Sequence, residues 1–142
     1  MLFDTNVLIA GLVQPHQFHD RSWPWMQRVH HGEIGMLVSA HSLAELYSNL
    51  TKLPGTPRLS PQAVGDMIAK SVEAHATLVA LDASDYSGAI RRMAKLGLAG
   101  GVIYDGLIAW AAEKAGVDHL LTLNPRDFRR VWPEGIDRIL TP

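Results

Sequence analysis

The sequence has 142 residues, 47% of them hydrophobic and 19% charged, which is typical of a single globular domain over residues 1–142 and excludes a disordered chain. It contains no cysteine, which excludes disulfides, thiolate catalysis and zinc–thiolate sites. Its net charge of −1 argues against a uniformly basic nucleic-acid-binding protein. No run reaches the roughly 18 apolar residues of a membrane span, so we expect a cytoplasmic protein with no membrane contact.

Apolar runs of strand length alternate with longer segments of helical periodicity along the chain. This alternation predicts an α/β domain with a mostly parallel central sheet flanked by helices. In chain order, the predicted elements are the strand MLF, the short helix NVLIAGL, the helix HQFHDRSWPWMQRVHHGE, the strand IGMLVS, the helices AHSLAELYSNLTKL and SPQAVGDMIAKSVEAH, the strand ATLVAL, the helices ASDYSGAIRRMAKLG and YDGLIAWAAEKAG, the strand DHLLTL and the weaker strand DRILT.

A few residues mark the ends of the predicted helices. Ser60 is a favoured N-cap residue, and Gly97 is a favoured C-terminal stop. Pro54-Gly55 is expected to end the third helix because proline does not continue a helix. Pro24 either kinks the second helix or marks a late start for it.

Three acidic residues interrupt these patterns where apolar residues are expected. Asp4 ends the first strand inside an apolar run, and Glu45 flanks a leucine stripe on its helix. Asp105 shares the face of its helix that carries Ile108 and Ala112 and that the helix should bury. Taken singly, Asp4 is explained as a helix N-cap, Glu45 as a border residue and Asp105 as a charge that complements the helix dipole.

Taken together, the three acids favour a metal site. Converging carboxylates lose hydration and repel one another, and a divalent cation supplies the missing positive charge. Oxygen ligands select hard ions such as Mg²⁺ or Mn²⁺, which serve phosphate chemistry. Two rival carboxylate chemistries lack their residues: a phosphatase of the haloacid-dehalogenase type needs an aspartate where Asn6 stands, and a receiver-type phosphoacceptor needs an acidic pair near its first strand and a late lysine after a strand. No glycine-rich phosphate-binding loop is present either.

Three segments carry a resemblance to a known family: LFDTNVLIA, SAHSLAELYSNLTKLPG and GLAGGVIYDGLIAWAAEKAGVDHLLTLNPRDFRRV. Together and in this order, they resemble a PIN-domain ribonuclease, and specifically a VapC-type toxin of a toxin–antitoxin pair. The resemblance implies a PIN-like α/β fold and a Mg²⁺-dependent endoribonuclease, with Mn²⁺ as the other candidate ion. It also implies RNA as substrate, a 5′-phosphate and a 3′-hydroxyl as products, a cognate antitoxin protein as partner, and a homodimer.

The family's acidic residues correspond to Asp4, Glu45 and Asp105, the predicted metal ligands and catalytic residues. The fourth acidic position is less well defined. Asn124 stands where the family's acid often follows the fourth strand, and Asp127 lies three residues later. Either Asn124 contributes a neutral oxygen, or Asp127 serves as an outer acid, or both contribute. This substitution leaves a second hypothesis open, a PIN-fold binding module whose nuclease site is weak or inactive.

Five further residues are predicted to support the site. Thr5 and Asn6 would orient the Asp4 carboxylate and the adjacent backbone, and Thr122 lies next to the fourth position. Arg126 and Arg130 follow that position and are interpreted either as a solvated basic turn or as contacts to RNA phosphates.

Overall fold

The computed structural model describes residues 1–54 and 58–142. Its centre is a five-stranded sheet in which every neighbouring pair is parallel, in the order β3-β2-β1-β4-β5. The prediction of an α/β fold with a mostly parallel sheet is therefore confirmed. The strands are β1 (Leu2–Phe3), β2 (Met36–Ser39), β3 (Ala76–Val79), β4 (Leu120–Leu121) and β5 (Ile139–Leu140).

Seven α-helices connect and cover these strands within the described residues. The Ser60 side chain accepts a hydrogen bond from the Ala63 N–H, so the predicted N-cap is confirmed. A π-helical turn over Ala69–Glu73 and a 3-10 helix over Pro133–Arg138 complete the set. The helices are α1 (Thr5–Leu12), α2 (His19–His30), α3 (Ala40–Leu50), α4 (Pro61–Ile68), α5 (Ala83–Lys95), α6 (Val102–Lys114) and α7 (Pro125–Val131).

The core consists of two layers, one on each face of the sheet. Successive strand residues point to opposite faces, so Phe3 and Leu121 belong to one layer while Leu2 and Leu120 belong to the other. Helices α1 to α4 supply the first layer, and α5 to α7 supply the second. The central strands are buried on both sides, which explains their continuous apolar runs.

Some predicted boundaries differ from the structure. Helix α2 begins at His19, so Pro24 lies inside the helix and does not mark its start. Helix α3 ends at Leu50, before the predicted stop at Pro54-Gly55, of which Gly55 lies outside the described residues. Residues Pro125–Val131 form α7 where the sequence suggested only a turn. Across the two described ranges, no helix combines the length and apolar character needed to span a membrane.

Candidate active site

An open pocket at the carboxyl edge of the sheet is lined by acids from three separate elements. Asp4 follows β1, Glu45 lies in α3, and Asp105 lies in the first turn of α6. The pocket has a volume of about 250 Å³, which is enough for an ion with several waters at roughly 30 Å³ each. Its other lining residues are Thr5, Asn6, Ile9, Asn49 and Ile108.

The Asp4 carboxylate is not used to cap α1. Asp4 occupies the N-cap position and its backbone carbonyl accepts hydrogen bonds from the first turn, yet its side chain makes no capping hydrogen bond. Instead, Oδ2 of Asp4 accepts a 2.6 Å hydrogen bond from Oγ1 of Thr122. The side chain is 2% exposed. Asp4 therefore caps α1 through its backbone alone, and its carboxylate lines the pocket.

A hydrogen-bond network between the ends of β1 and β4 fixes this carboxylate. Oγ1 of Thr122 accepts from the backbone N–H of Asn124 at 2.9 Å and from Nδ2 of Asn6 at 3.4 Å. Oδ1 of Asn6 in turn accepts from the Leu123 N–H at 3.0 Å. Because the Thr122 oxygen accepts from these donors, its own proton is directed at Asp4. Thr122 thus fixes the Asp4 carboxylate directly, and Asn6 fixes the ends of the two strands around it.

Glu45 is held in a similar way. Oγ1 of Thr5 donates a 2.9 Å hydrogen bond to Oε2 of Glu45, so the threonine side chain holds Glu45. The backbone N–H of Thr5 acts on the Asp4 carboxylate and lowers its pKa. Nδ2 of Asn49 donates a 2.8 Å hydrogen bond to the backbone carbonyl oxygen of Glu45. Asn49 also lines the same pocket. The sequence analysis missed Asn49, although its position one helical turn after Glu45 is a usable signal.

Two of the three acids, Asp4 and Asp105, have raised pKa values. Burial raises the pKa of Asp4 to about 7 against the lowering effect of the Thr122 hydrogen bond, and the charges of Asp105 and Glu45 add to the increase. Burial also raises the pKa of Asp105 to about 6, with contributions from the charges of Asp127 and Glu45. Ionisation of these acids in the pocket is therefore unfavourable, and a bound cation would favour their charged forms.

The donor chemistry of this pocket fits Mg²⁺ or Mn²⁺, since all three ionisable side chains offer oxygen. Within residues 1–54 and 58–142, no three acidic or histidine side chains lie close enough to form a preassembled ligand cluster. Mg²⁺ commonly keeps several waters and uses only one or two protein carboxylates. A pocket lined by spaced carboxylates is compatible with that mode of binding.

The two candidates for the fourth position contact each other. Nδ2 of Asn124 donates a 2.6 Å hydrogen bond to Oδ2 of Asp127, and Nη1 of Arg130 donates to Oδ1 at 3.2 Å. The hydrogen bond from Asn124, followed by the contributions of Arg130 and Arg126, lowers the pKa of Asp127. In the described part of the chain, neither residue belongs to the lining of the acidic pocket. The charge of Asp127 nevertheless acts on Asp105.

The arginines of α7 differ in their contacts. Arg130 is half-exposed and forms an ion pair with Asp127. Arg126 is exposed and contributes through its charge. Both lie on the helix that starts immediately after Asn124, so their cationic groups are close to the candidate fourth position.

The fold and the pocket define an α/β protein with an acidic, oxygen-lined site at the carboxyl edge of a parallel sheet. A family model described as "PIN domain" matches residues 1–132. Ribonuclease VapC40 of Mycobacterium tuberculosis is 36% identical over 128 residues, which cover 90% of this chain and 87% of that protein. Ribonuclease VapC27 of the same organism is 33% identical over 126 residues, covering 89% and 83%. The chain therefore belongs to the PIN-domain family.

A solved structure shares the fold at lower sequence identity. It is VapBC2 from Rickettsia felis bound to a DNA fragment from its promoter. The match has a TM-score of 0.65 at 17% identity and covers 99% of this chain and 97% of that one. The family and the fold expected from the resemblance are thus confirmed.

Proposed function

We propose that this chain is a Mg²⁺- or Mn²⁺-dependent endoribonuclease and the toxin of a toxin–antitoxin pair. The observation that carries the proposal is that Asp4, Glu45 and Asp105, from three separate elements, line one open pocket. The two relatives named as VapC ribonucleases, at 36% and 33% identity, support RNA as the substrate. The complete set of three acids argues against a binding module with an inactive nuclease site.

The residues of the chain prepare the pocket for phosphodiester hydrolysis. Asp4, Glu45 and Asp105 would hold the cation, and the hydrogen bonds from Thr122 and Thr5 keep two of these carboxylates oriented. A bound Mg²⁺ or Mn²⁺ supplies a water of lowered pKa and positive charge beside the phosphate. Because the pocket is open, the backbone of an RNA strand is able to approach the acids from solvent.

Helix α7 supplies the outer part of the proposed site. Asp127, held by Asn124 and Arg130, acts as an outer acid that adds negative charge near Asp105. Asn124 is a positioning residue in this scheme because its amide binds Asp127. Arg126 and Arg130 would contact RNA phosphates on either side of the cleaved bond, where cationic side chains contribute most of the affinity.

The proposed partners follow from the relatives. The solved structure with the same fold is VapBC2 from Rickettsia felis bound to a DNA fragment from its promoter, and by analogy we expect this chain to bind a cognate antitoxin. From the resemblance to VapC-type toxins, we also expect a homodimer in the cytoplasm. A small neighbouring reading frame whose product has a basic N-terminal half is the candidate antitoxin. Co-purification of its product with this chain, and the mass of the complex in solution, test both expectations.

Growth of cells expressing the chain without an antitoxin tests the proposed activity. The unmodified chain is expected to arrest growth, and Asp105→Asn is expected to relieve the arrest while remaining folded. Asp137→Asn serves as the matched control, because Asp137 is exposed and lies in the 3-10 helix outside the pocket lining. Full toxicity of a well-folded Asp105→Asn variant would contradict a nuclease mechanism at this site.

A further inference from the structure

A second pocket adjoins the acidic one. It has a volume of about 300 Å³, which lies at the lower end of the range for small-ligand sites. Glu45 and Asn49 line both pockets, so the two form one continuous cleft along α3. The remaining lining residues of the second pocket are His41, Ala44, Ser48 and Tyr104.

Two stacked aromatic rings form one wall of this second pocket. The rings of His41 and Tyr104 have centroids 5.4 Å apart and an interplanar angle of 12°. Tyr86 contacts the His41 ring edge-on, at 6.4 Å and 73°. Tyr104 is 49% exposed, so its ring is accessible to a ligand from solvent. We call the His41–Tyr104 pair the aromatic wall.

The aromatic wall is fixed relative to the acidic pocket. Tyr104 immediately precedes Asp105 on α6, and His41 lies one turn before Glu45 on α3. A ligand that rests on the wall is therefore placed next to whatever the acids hold. Helices α3 and α6, which carry Glu45 and Asp105, also carry the two rings.

Polar groups lie along the rest of this pocket. Ser48 and Asn49 are part of its lining, and Nζ of Lys52 donates a 3.1 Å hydrogen bond to Oγ of Ser48. A cation is thus present at the rim beyond the aromatic wall. Nε2 of His41 is buried and has no hydrogen-bond partner among the residues that the structure describes. The ring of His41 is consequently held by stacking with its aromatic neighbours.

We propose that the aromatic wall binds single-stranded RNA by stacking on one unpaired base. That base belongs to the nucleotide next to the cleaved phosphate. The inference rests on the proposed ribonuclease function and adds a subsite to it. Aromatic rings, including histidine, bind splayed bases in single-stranded RNA through their flat faces. Because a base is neutral, the Glu45 carboxylate at the border of the pocket does not repel it. The Lys52 ammonium is placed to contact the phosphate of the following nucleotide.

RNA binding by a nuclease-disabled protein tests this subsite. In an Asp4→Asn background, affinities are measured for a short fluorescent adenylate oligoribonucleotide and for a matched oligoribonucleotide with abasic central positions. Tyr104→Ala is expected to weaken binding of the first about 5- to 100-fold and to leave binding of the second unchanged. Tyr104→Phe should retain the affinity, because it keeps the ring. Tyr47→Ala, which removes another exposed tyrosine that lies on α3 outside the pocket lining, is the control.

The remaining outcomes separate failure of the subsite from failure of the function. Equal effects of Tyr104→Ala on both oligoribonucleotides, or no effect on either, would overturn the stacking proposal while RNA cleavage by the unmodified chain still stands. If Tyr104→Ala no longer dimerised or bound the antitoxin but kept its RNA affinity, the stacking proposal would be overturned in favour of a protein-docking surface. Absence of both RNA binding and cleavage in the unmodified chain would refute the proposed function and the subsite with it.

Discussion

Replacement of Asp4 by asparagine is expected to stabilise the metal-free protein at neutral and alkaline pH. Asp4 is only 2% exposed, and its carboxylate experiences the charges of Asp105 and Glu45. Asparagine has nearly the same shape and still accepts the hydrogen bond from Thr122, yet it carries no charge. The variant is therefore expected to gain free energy of unfolding while it loses the ability to hold a cation.

The magnitude follows from the raised pKa of Asp4. The pKa is about 7 in the folded protein and 3.8 for the unperturbed group. The stabilising contribution of the protonated form is fully present below pH 3.8 and is lost as the pH rises through about 7. Between these values each pH unit lowers the free energy of unfolding by about 1.4 kcal/mol. The total therefore has an upper limit of roughly 4 kcal/mol.

Urea denaturation in the presence of EDTA measures this difference. From about pH 5 to about pH 8, the advantage of Asp4→Asn over the unmodified chain is expected to grow by roughly 2–3 kcal/mol. Asp137→Asn should follow the unmodified chain. Added Mg²⁺ should restore stability to the unmodified chain and to Asp137→Asn but not to Asp4→Asn, which lacks one of the three pocket acids. Parallel stability curves for Asp4→Asn and the unmodified chain across this pH range would refute the reasoning.

Three further perturbations test the surroundings of the pocket. Thr122→Val removes the donor to Asp4 and is expected to lower the free energy of unfolding at neutral pH by about 1–3 kcal/mol, measured by urea denaturation. Asp127→Ala is expected to weaken Mn²⁺ binding about ten- to a hundred-fold in calorimetric titrations. Asn124→Asp should lower the melting temperature by placing a second carboxylate against Asp127, whereas tighter Mn²⁺ binding would instead identify position 124 as a ligand. Arg130→Ala should change the free energy of unfolding by less than about 1 kcal/mol, while the slope of RNA affinity against salt falls by about 0.7.

The fold was predictable because burial determines its sequence pattern. Strands covered on both faces require continuous apolar runs, and the helices between them show one apolar face. Helix α7 was missed because it is only seven residues long and buries just Phe128 and Val131, too few for a periodic signal. Pro24 is exposed inside α2, so water is able to satisfy the backbone carbonyl that its missing N–H leaves unbonded.

The acids were predictable because each one breaks an apolar pattern, whereas their supporting contacts depend on tertiary structure. No local signal indicates that Thr5 donates to Glu45, forty positions away, since the contact arises only when α3 packs against α1. The aromatic wall also depends on tertiary structure, because His41 and Tyr104 come into contact only when α3 packs against α6. The sequence likewise left open whether Asn124 or Asp127 serves the fourth position, and that assignment remains a prediction.

The most direct test of the central claim compares the cleavage of single-stranded RNA by the purified chain with its cleavage by Asp105→Asn. We expect fragments with 5′-phosphate ends in Mg²⁺ or Mn²⁺, no cleavage in EDTA, and a loss of at least about a hundred-fold in rate for the folded variant. Cleavage that persists in EDTA, or that is equally fast in a folded Asp105→Asn protein, would contradict a metal-dependent ribonuclease site built on these acids.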